Sequence, residues 1–207
     1  MKKKLCAGMV LLAGFVLWTV AVCHVDVQPI GPMGSDVGFA SLNGWFHELT
    51  AVHMGLYILT DWLSLIPVAV VLGFALLGLV QWIKQKMIRK VDRNILLLGG
   101  YYIVVLAFFL LFETVEINYR PVLIDGCLEA SYPSSTTLLV FTVMPVAGME
   151  LGRRMKNSIW ILWANHLYTG FMVTARVLSG VHWLTDIIGG VLLSGALILC
   201  YSAFTEE

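Results

Sequence analysis

Arg176, His182 and Asp186 stand in one short stretch, TARVLSGVHWLTDIIGG (Thr174–Gly190), with long apolar runs on both sides. Ionisable side chains at membrane depth are costly, and by default they mark functional sites. Asp186 follows His182 by four residues, one helical turn on and on the same face. A carboxylate there can accept one imidazole N–H, fix the tautomer and leave the other ring nitrogen's lone pair free. That is the arrangement of an activated nucleophile or base. Taken alone, H-x-x-x-D reads more simply as a structural polar pair at a membrane interface, and a lone Arg176 as a side chain snorkelling to headgroups.

Two further polar segments change that balance. EINYRPVLIDG (Glu116–Gly126) carries Arg120 and Pro121, and ASYPSSTT (Ala130–Thr137) opens the apolar run that follows. Pro133 biases the residue before it away from helix, so Ser134 or Ser135 is a natural N-cap. The unpaired amides of that first helical turn, with the helix dipole, form a ready anion site. Arg guanidinium suits bidentate recognition of phosphate. Two arginines, a helix N-terminus and an oriented histidine on one membrane face make a phosphate pocket with a nucleophile aimed into it.

The elements that must position these residues are membrane helices. The 207-residue chain is 59% hydrophobic and 13% charged, with a mean hydropathy of +0.86, about half the charge of a soluble domain. Apolar runs of spanning length fall at about 5–23, 53–82, 96–115, 135–151, 159–178 and 184–201. No linker or repeat divides them, so residues 1–207 read as a single all-α integral membrane domain of six transmembrane helices. The second run holds Asp61 and Pro67 and is expected to kink or to face a polar interior. The first run exceeds a usual signal peptide and lacks an A-x-A cleavage site, so it reads as a retained helix. Lys2–Lys4, the cations between Lys84 and Arg93, and Arg153, Arg154 and Lys156 fall on one side of a six-helix chain. These are 11 of the 13 basic residues and put both termini in the cytoplasm. Arg120 and Arg176 are the two left on the opposite, extracytoplasmic side. Cys23 and Cys127 also fall there, but four cysteines without a spacing pattern make no disulfide framework.

In order and spacing the three segments resemble the type 2 phosphatidic acid phosphatase superfamily, in its membrane-bound lipid phosphatase branch. The family's motifs read K-x6-R-P, P-S-G-H and S-R-x5-H-x3-D. Here they stand as Glu113-x6-Arg120-Pro121, Pro133-Ser134-Ser135-Thr136 and Ala175-Arg176-x5-His182-x3-Asp186. The resemblance implies a metal-independent and cofactor-free phosphatase of lipid metabolism at the extracytoplasmic face of the cell membrane. His182 would attack phosphorus and form a phosphohistidine, with Asp186 orienting it. Arg120 and Arg176 would hold the phosphoryl oxygens, helped by Ser134 and the backbone of Ser135 and Thr136.

Two positions depart from the pattern. Glu113 stands in place of the phosphate-binding lysine, and a carboxylate 5 Å from a phosphate oxygen would repel it by about 3 kcal/mol at an effective dielectric near 20. Glu113 must then point away, pair with an arginine or be protonated. Thr136 stands in place of the histidine that protonates the leaving group, and losing a general acid costs about 10²–10⁴-fold in rate. A lipid alkoxide needs that proton badly, whereas a phosphate leaving from a lipid pyrophosphate does not. The expected substrate is therefore a polyprenyl or diacylglycerol pyrophosphate in the bilayer, with no nucleic-acid partner. The alternatives are a catalytically impaired relative that binds or translocates a lipid phosphate, and a lipid phosphotransferase. For the missing acid, His53, Tyr57 and Asp61 recur every four residues on the second run, and His47 and His24 precede it. A polar interior stripe and an amphipathic outer loop account for all five.

Overall fold

A computed structural model describes residues 1–155 and 159–205; Lys156, read above as a cytoplasmic cation, lies outside them. The described residues form helices α1 (Lys2–His24), α2 (Ala40–Thr50), α3 (Met54–Leu63), α4 (Leu65–Gln85), α5 (Arg93–Thr114), α6 (Ser135–Arg154), α7 (Ile159–Leu178) and α8 (Leu184–Thr205), with no strand among them. Among the described residues, five segments are long and apolar enough to cross a membrane: α1, the α3–α4 pair, α5, α6 and α8. The remaining long helix, α7, carries Asn165, His166, Thr169 and Arg176, which dilute its hydropathy.

The second apolar run is divided at Ser64, three residues before Pro67. Proline lacks the N–H that would continue the helical ladder, and its ring crowds the carbonyl four residues earlier, here that of Leu63. The break leaves α3 as a short separate element whose polar face can turn inward. α2 is an addition to the loop expected from the sequence. It buries Ala40 and Asn43 and leaves Trp45 60% exposed, as suits a helix lying in the interface.

α6 and α8 are the inner helices, with α1 packed along α8, α7 along α6, and α4 and α5 flanking. The outward faces of α1, α4 and α5 show large apolar residues, among them Leu17, Leu72, Leu76 and Ile103. Lipid rather than water satisfies such a surface. A Cβ on Gly189 would lie 2.7 Å from the Tyr132 ring. The missing side chain therefore lets α8 approach the segment that leads into α6.

The inner ends of the helices are tied by Glu150, which is wholly buried on α6. Its Oε1 accepts from Tyr201 Oη at 2.7 Å and from Arg153 at 2.5 Å, and Arg154 approaches Oε2 to 3.6 Å while also pairing with Asp92. Removing the carboxylate strands a buried hydroxyl. Glu150→Ala is expected to cost about 2 kcal/mol, read as a lowered unfolding temperature of the detergent-purified protein, with Glu150→Gln keeping part of the loss.

Candidate active site

The site is assembled by four segments that meet at one end of the helix bundle. Arg176 is on the last turn of α7 and His182 in the tight connection to α8. That connection turns at Gly180, whose φ of +66° is left-handed and whose added Cβ would meet Ala51 O at 2.0 Å. The N–H of His53 donates to Ser179 O at 2.9 Å, so the start of α3 holds the same loop from the other side. Only glycine satisfies both the dihedral and the close approach. Gly180→Ala is expected to lower the unfolding temperature and to cut activity by displacing His182, measured side by side on one preparation.

Arg120 comes from the α5–α6 connection. Its N–H donates to Glu129 O at 2.9 Å, Ser131 N donates to Asn118 O at 2.8 Å, and Ile124 and Cys127 exchange both backbone hydrogen bonds around Asp125 and Gly126. The segment is thus a hairpin-like loop closed by an Asp-Gly turn, in which both central residues have positive φ. Its position is fixed by Trp183, whose Nε1 donates to Tyr119 O at 2.7 Å.

Asp186 is fully buried in the first turn of α8. Its carboxylate accepts from Trp183 N at 3.0 Å and from Asn118 Nδ2 at 3.3 Å. The backbone carbonyl of Asp186 accepts from Ser134 N at 3.1 Å, which fastens the start of α6 to the start of α8. Ser134 is the N-cap of α6: its Oγ accepts from Thr137 N at 3.4 Å and Thr137 Oγ1 at 3.1 Å. The amides of Ser135 and Thr136 are the first-turn donors with no intrahelical partner.

His182, 4% exposed, lies 3.2 Å through Nε2 from Arg120 Nη1. A guanidinium only donates, so Nε2 is the acceptor nitrogen and Nδ1 carries the proton. Nδ1 faces Asp186 Oδ2 at 3.7 Å, too long for a hydrogen bond and short enough to close when charge develops on the ring. Burial, then the charges of Arg120 and Arg176, hold the His182 pKa well below that of an ordinary histidine, against the pull of the Ser131 carbonyl. The ring is therefore neutral down to acid pH. The acid limb of kcat/KM is expected well below the usual histidine value near 6.5. A limb at or above 6.5 would mean that His182 titrates as an exposed imidazole.

Arg176 is 1% exposed. Nη1 donates to Thr60 Oγ1 at 2.9 Å and toward Tyr57 O at 3.4 Å, and Nη2 lies 4.0 Å from Asp61. Both guanidiniums face one ring: the centroid of Tyr57 is 4.7 Å from Arg176 Cζ and 5.7 Å from Arg120 Cζ. The aromatic face offsets part of the repulsion between two like charges held close together. At the same centre Arg120 Nε, Ser131 Oγ, Arg176 Nε and His182 Nδ1 are buried and make no hydrogen bond. Arg120 Nε comes within 2.9 Å of Glu129 Oε2, but its N–H is not directed along that contact. Ser131 Oγ lies beside Asp186. Ser131 Oγ and His182 Nδ1 face Asp186, but the buried arginine Nε donors call for an explanation, and a tetrahedral oxyanion supplies acceptors of the right kind.

Arg120 also lines a cavity of about 370 Å³ that opens beside the centre, with Glu113, Glu116, Glu129, Phe112, Tyr132 and Ser135 on its walls. Glu113 is exposed there, and the arginine's carboxylate partner is Glu129. Glu129, Asn118 and Thr60 are site residues that the sequence reading did not single out. The Asp-Gly turn at 125–126 could have brought Glu129 back beside Arg120. Of the five residues considered for the missing acid, Tyr57 and Asp61 reach the arginines. His47 packs instead on Trp183, with ring centroids 5.4 Å apart, and His24 bonds to its own helix. All four cysteines are free.

A family model described as the PAP2 superfamily matches residues 99–207. Among solved structures, the chain is similar to one titled the first transmembrane PAP2 type phosphatidylglycerolphosphate phosphatase from Bacillus subtilis. That likeness has a TM-score of 0.54 at 18% identity and covers 96% of each chain. A search of curated protein sequences found no match.

Proposed function

Because the chain belongs to the PAP2 superfamily, we propose that it is a membrane lipid phosphatase working through a phosphohistidine at His182. The observation that carries this is the contact of Arg120 Nη1 with His182 Nε2 at 3.2 Å, in a buried centre where Arg176 shares the Tyr57 ring with Arg120. When a phosphoryl group enters, Arg120 turns its donors from Nε2 to the oxygens and the freed lone pair attacks phosphorus, while the P–O bond to the lipid alcohol or lipid phosphate breaks and its electron pair leaves with that oxygen. Arg176, through Nε, and the amides of Ser135 and Thr136 hold the equatorial oxygens, where charge accumulates in the transition state. Ser134 serves by capping α6, so its part is to aim those amides. Asp186 receives the Nδ1 proton more tightly as the ring becomes cationic. Water then attacks the phosphohistidine, releasing phosphate and returning the electron pair to Nε2.

α7 crosses the membrane as the sixth span in this reading. That places the cationic segments Lys2–Lys4, Lys84–Arg93 and Arg153–Arg154 together in the cytoplasm and the site at the outer face of the cell membrane. α7 tolerates its polar residues because Asn165 bonds to Met144 O and Arg176 to α3, away from lipid.

The preferred substrate is a lipid pyrophosphate, polyprenyl or diacylglycerol. Thr136 stands at the motif position of the acid that would expel an alkoxide, and phosphate leaves without one. Purified protein offered phosphatidate, phosphatidylglycerol phosphate and the two pyrophosphates should release phosphate fastest from a pyrophosphate. Faster turnover of phosphatidate would remove the preference. Lipid retained without release would make the protein a binder, a reading favoured by Glu113 and Thr136, which stand where the motifs have the phosphate-binding lysine and the acid histidine. Phosphorus transferred to a second lipid would make it a phosphotransferase.

A further inference from the structure

Expelling a lipid alkoxide needs a proton that neither Thr136 nor the exposed Glu113 is placed to supply. Thr60, Ser134 and Thr137 have hydroxyls committed to Arg176, to helix carbonyls or to the α6 cap, and aliphatic hydroxyls are too weakly acidic for the task. Tyr57 differs on both counts. No hydrogen bond engages its hydroxyl among the described residues, and a phenol, with a pKa near 10, is the most acidic hydroxyl available. Its ring lies within 4.7 and 5.7 Å of the two guanidinium carbons, the groups that hold the phosphoryl oxygens in this reading.

We infer that Tyr57 is the proton donor to the leaving oxygen of lipid monophosphates, standing on α3 outside the three motif segments; a phenol is a weaker acid than the motif's histidine, so a pyrophosphate stays the faster substrate. This rests on the reading of the site as a phosphohistidine phosphatase. In the first step the Nε2–P bond forms and the P–O bond to the lipid breaks. The bonding pair passes to the lipid oxygen, and the Tyr57 proton moves to it to give the alcohol. In the second step a water loses its proton to the tyrosinate and its oxygen attacks phosphorus. The P–N bond then breaks, with its electron pair returning to Nε2. For a pyrophosphate the leaving phosphate needs no such proton, so Tyr57 serves there through its ring alone, by keeping the arginines together.

The test uses Tyr57→Phe, which keeps the ring, its cation–π contacts and the packing of α3. Phosphate release is measured for wild type and variant on a long-chain alkyl monophosphate and on the diphosphate of the same alcohol. The variant should lose about 10²–10⁴-fold on the monophosphate and stay within about threefold of wild type on the diphosphate. Equal loss on both substrates would reduce Tyr57 to a residue that positions the arginines, and no loss on either would also overturn the inference. A wild-type protein that releases phosphate from neither substrate would sink the phosphatase reading and this inference with it. Release without a difference between the substrates would leave that reading standing and remove the donor role alone.

Discussion

His182→Ala is expected to abolish phosphate release from every lipid that the wild-type protein hydrolyses, a loss of about 10⁴-fold or more. The size follows from the role: the variant removes the atom that bonds to phosphorus, and a water attacking in its place enters without activation. The residual rate should reflect the arginines and the α6 amides, which still stabilise charge. Lipid affinity should survive in the variant, since those groups remain. Arg120 loses its contact to Nε2 but keeps Glu129. Asp186→Asn should fall between wild type and His182→Ala. Its amide can still accept from Trp183 N but no longer supplies a charge for the developing imidazolium. Equal binding with lost turnover separates this outcome from unfolding.

Arg176→Ala is expected to cost about 10²–10³-fold in kcat, the scale for removing one preorganised donor from developing charge. It should also lower the unfolding temperature. The side chain is buried and ties α7 to α3 through Thr60 and Tyr57, so truncation frees both elements at once. Arg176→Lys separates the two effects. An ammonium restores the charge but cannot bond to Thr60 and the Tyr57 carbonyl while also offering a flat pair of donors to phosphate. Stability should largely return in the lysine variant while activity remains well below wild type. Thr60→Val, which removes one acceptor from Arg176 without touching the charge, should lie close to wild type in activity and be modestly less stable.

Much of this arrangement was legible in the residues. The apolar runs gave the long helices because a span needs about 20 apolar residues, and Pro67 announced the break between α3 and α4. Ser134 caps α6 where Pro133 and the following hydroxyls pointed. The spacing of Arg176, His182 and Asp186 placed the three on one loop and turn, and Arg120 joined them. What was not legible came from contacts between distant segments. Tyr57 and Asp61 were visible as a polar stripe, but only the packing of α3 on α7 decides that Tyr57 meets both arginines. Glu129 and Asn118 return to Arg120 and Asp186 through a hairpin-like loop too short to leave a periodic pattern. α2 is helical because Ala40 and Asn43 pack inward and Asn43 bonds to Thr185, a partner 142 residues away. Hydropathy alone counted α7 with the other spans, whereas Asn165 and Arg176 are spent on contacts with α6 and α3.

The central claim is that phosphorus passes through His182. Wild-type protein mixed briefly with a radiolabelled lipid phosphate or pyrophosphate and quenched in alkali should carry label on His182, stable to base and lost in acid, as a phosphoramidate is. The label should appear no later than free phosphate and be missing from His182→Ala. Rapid release of phosphate with no label on His182, or label retained in the alanine variant, would contradict the account.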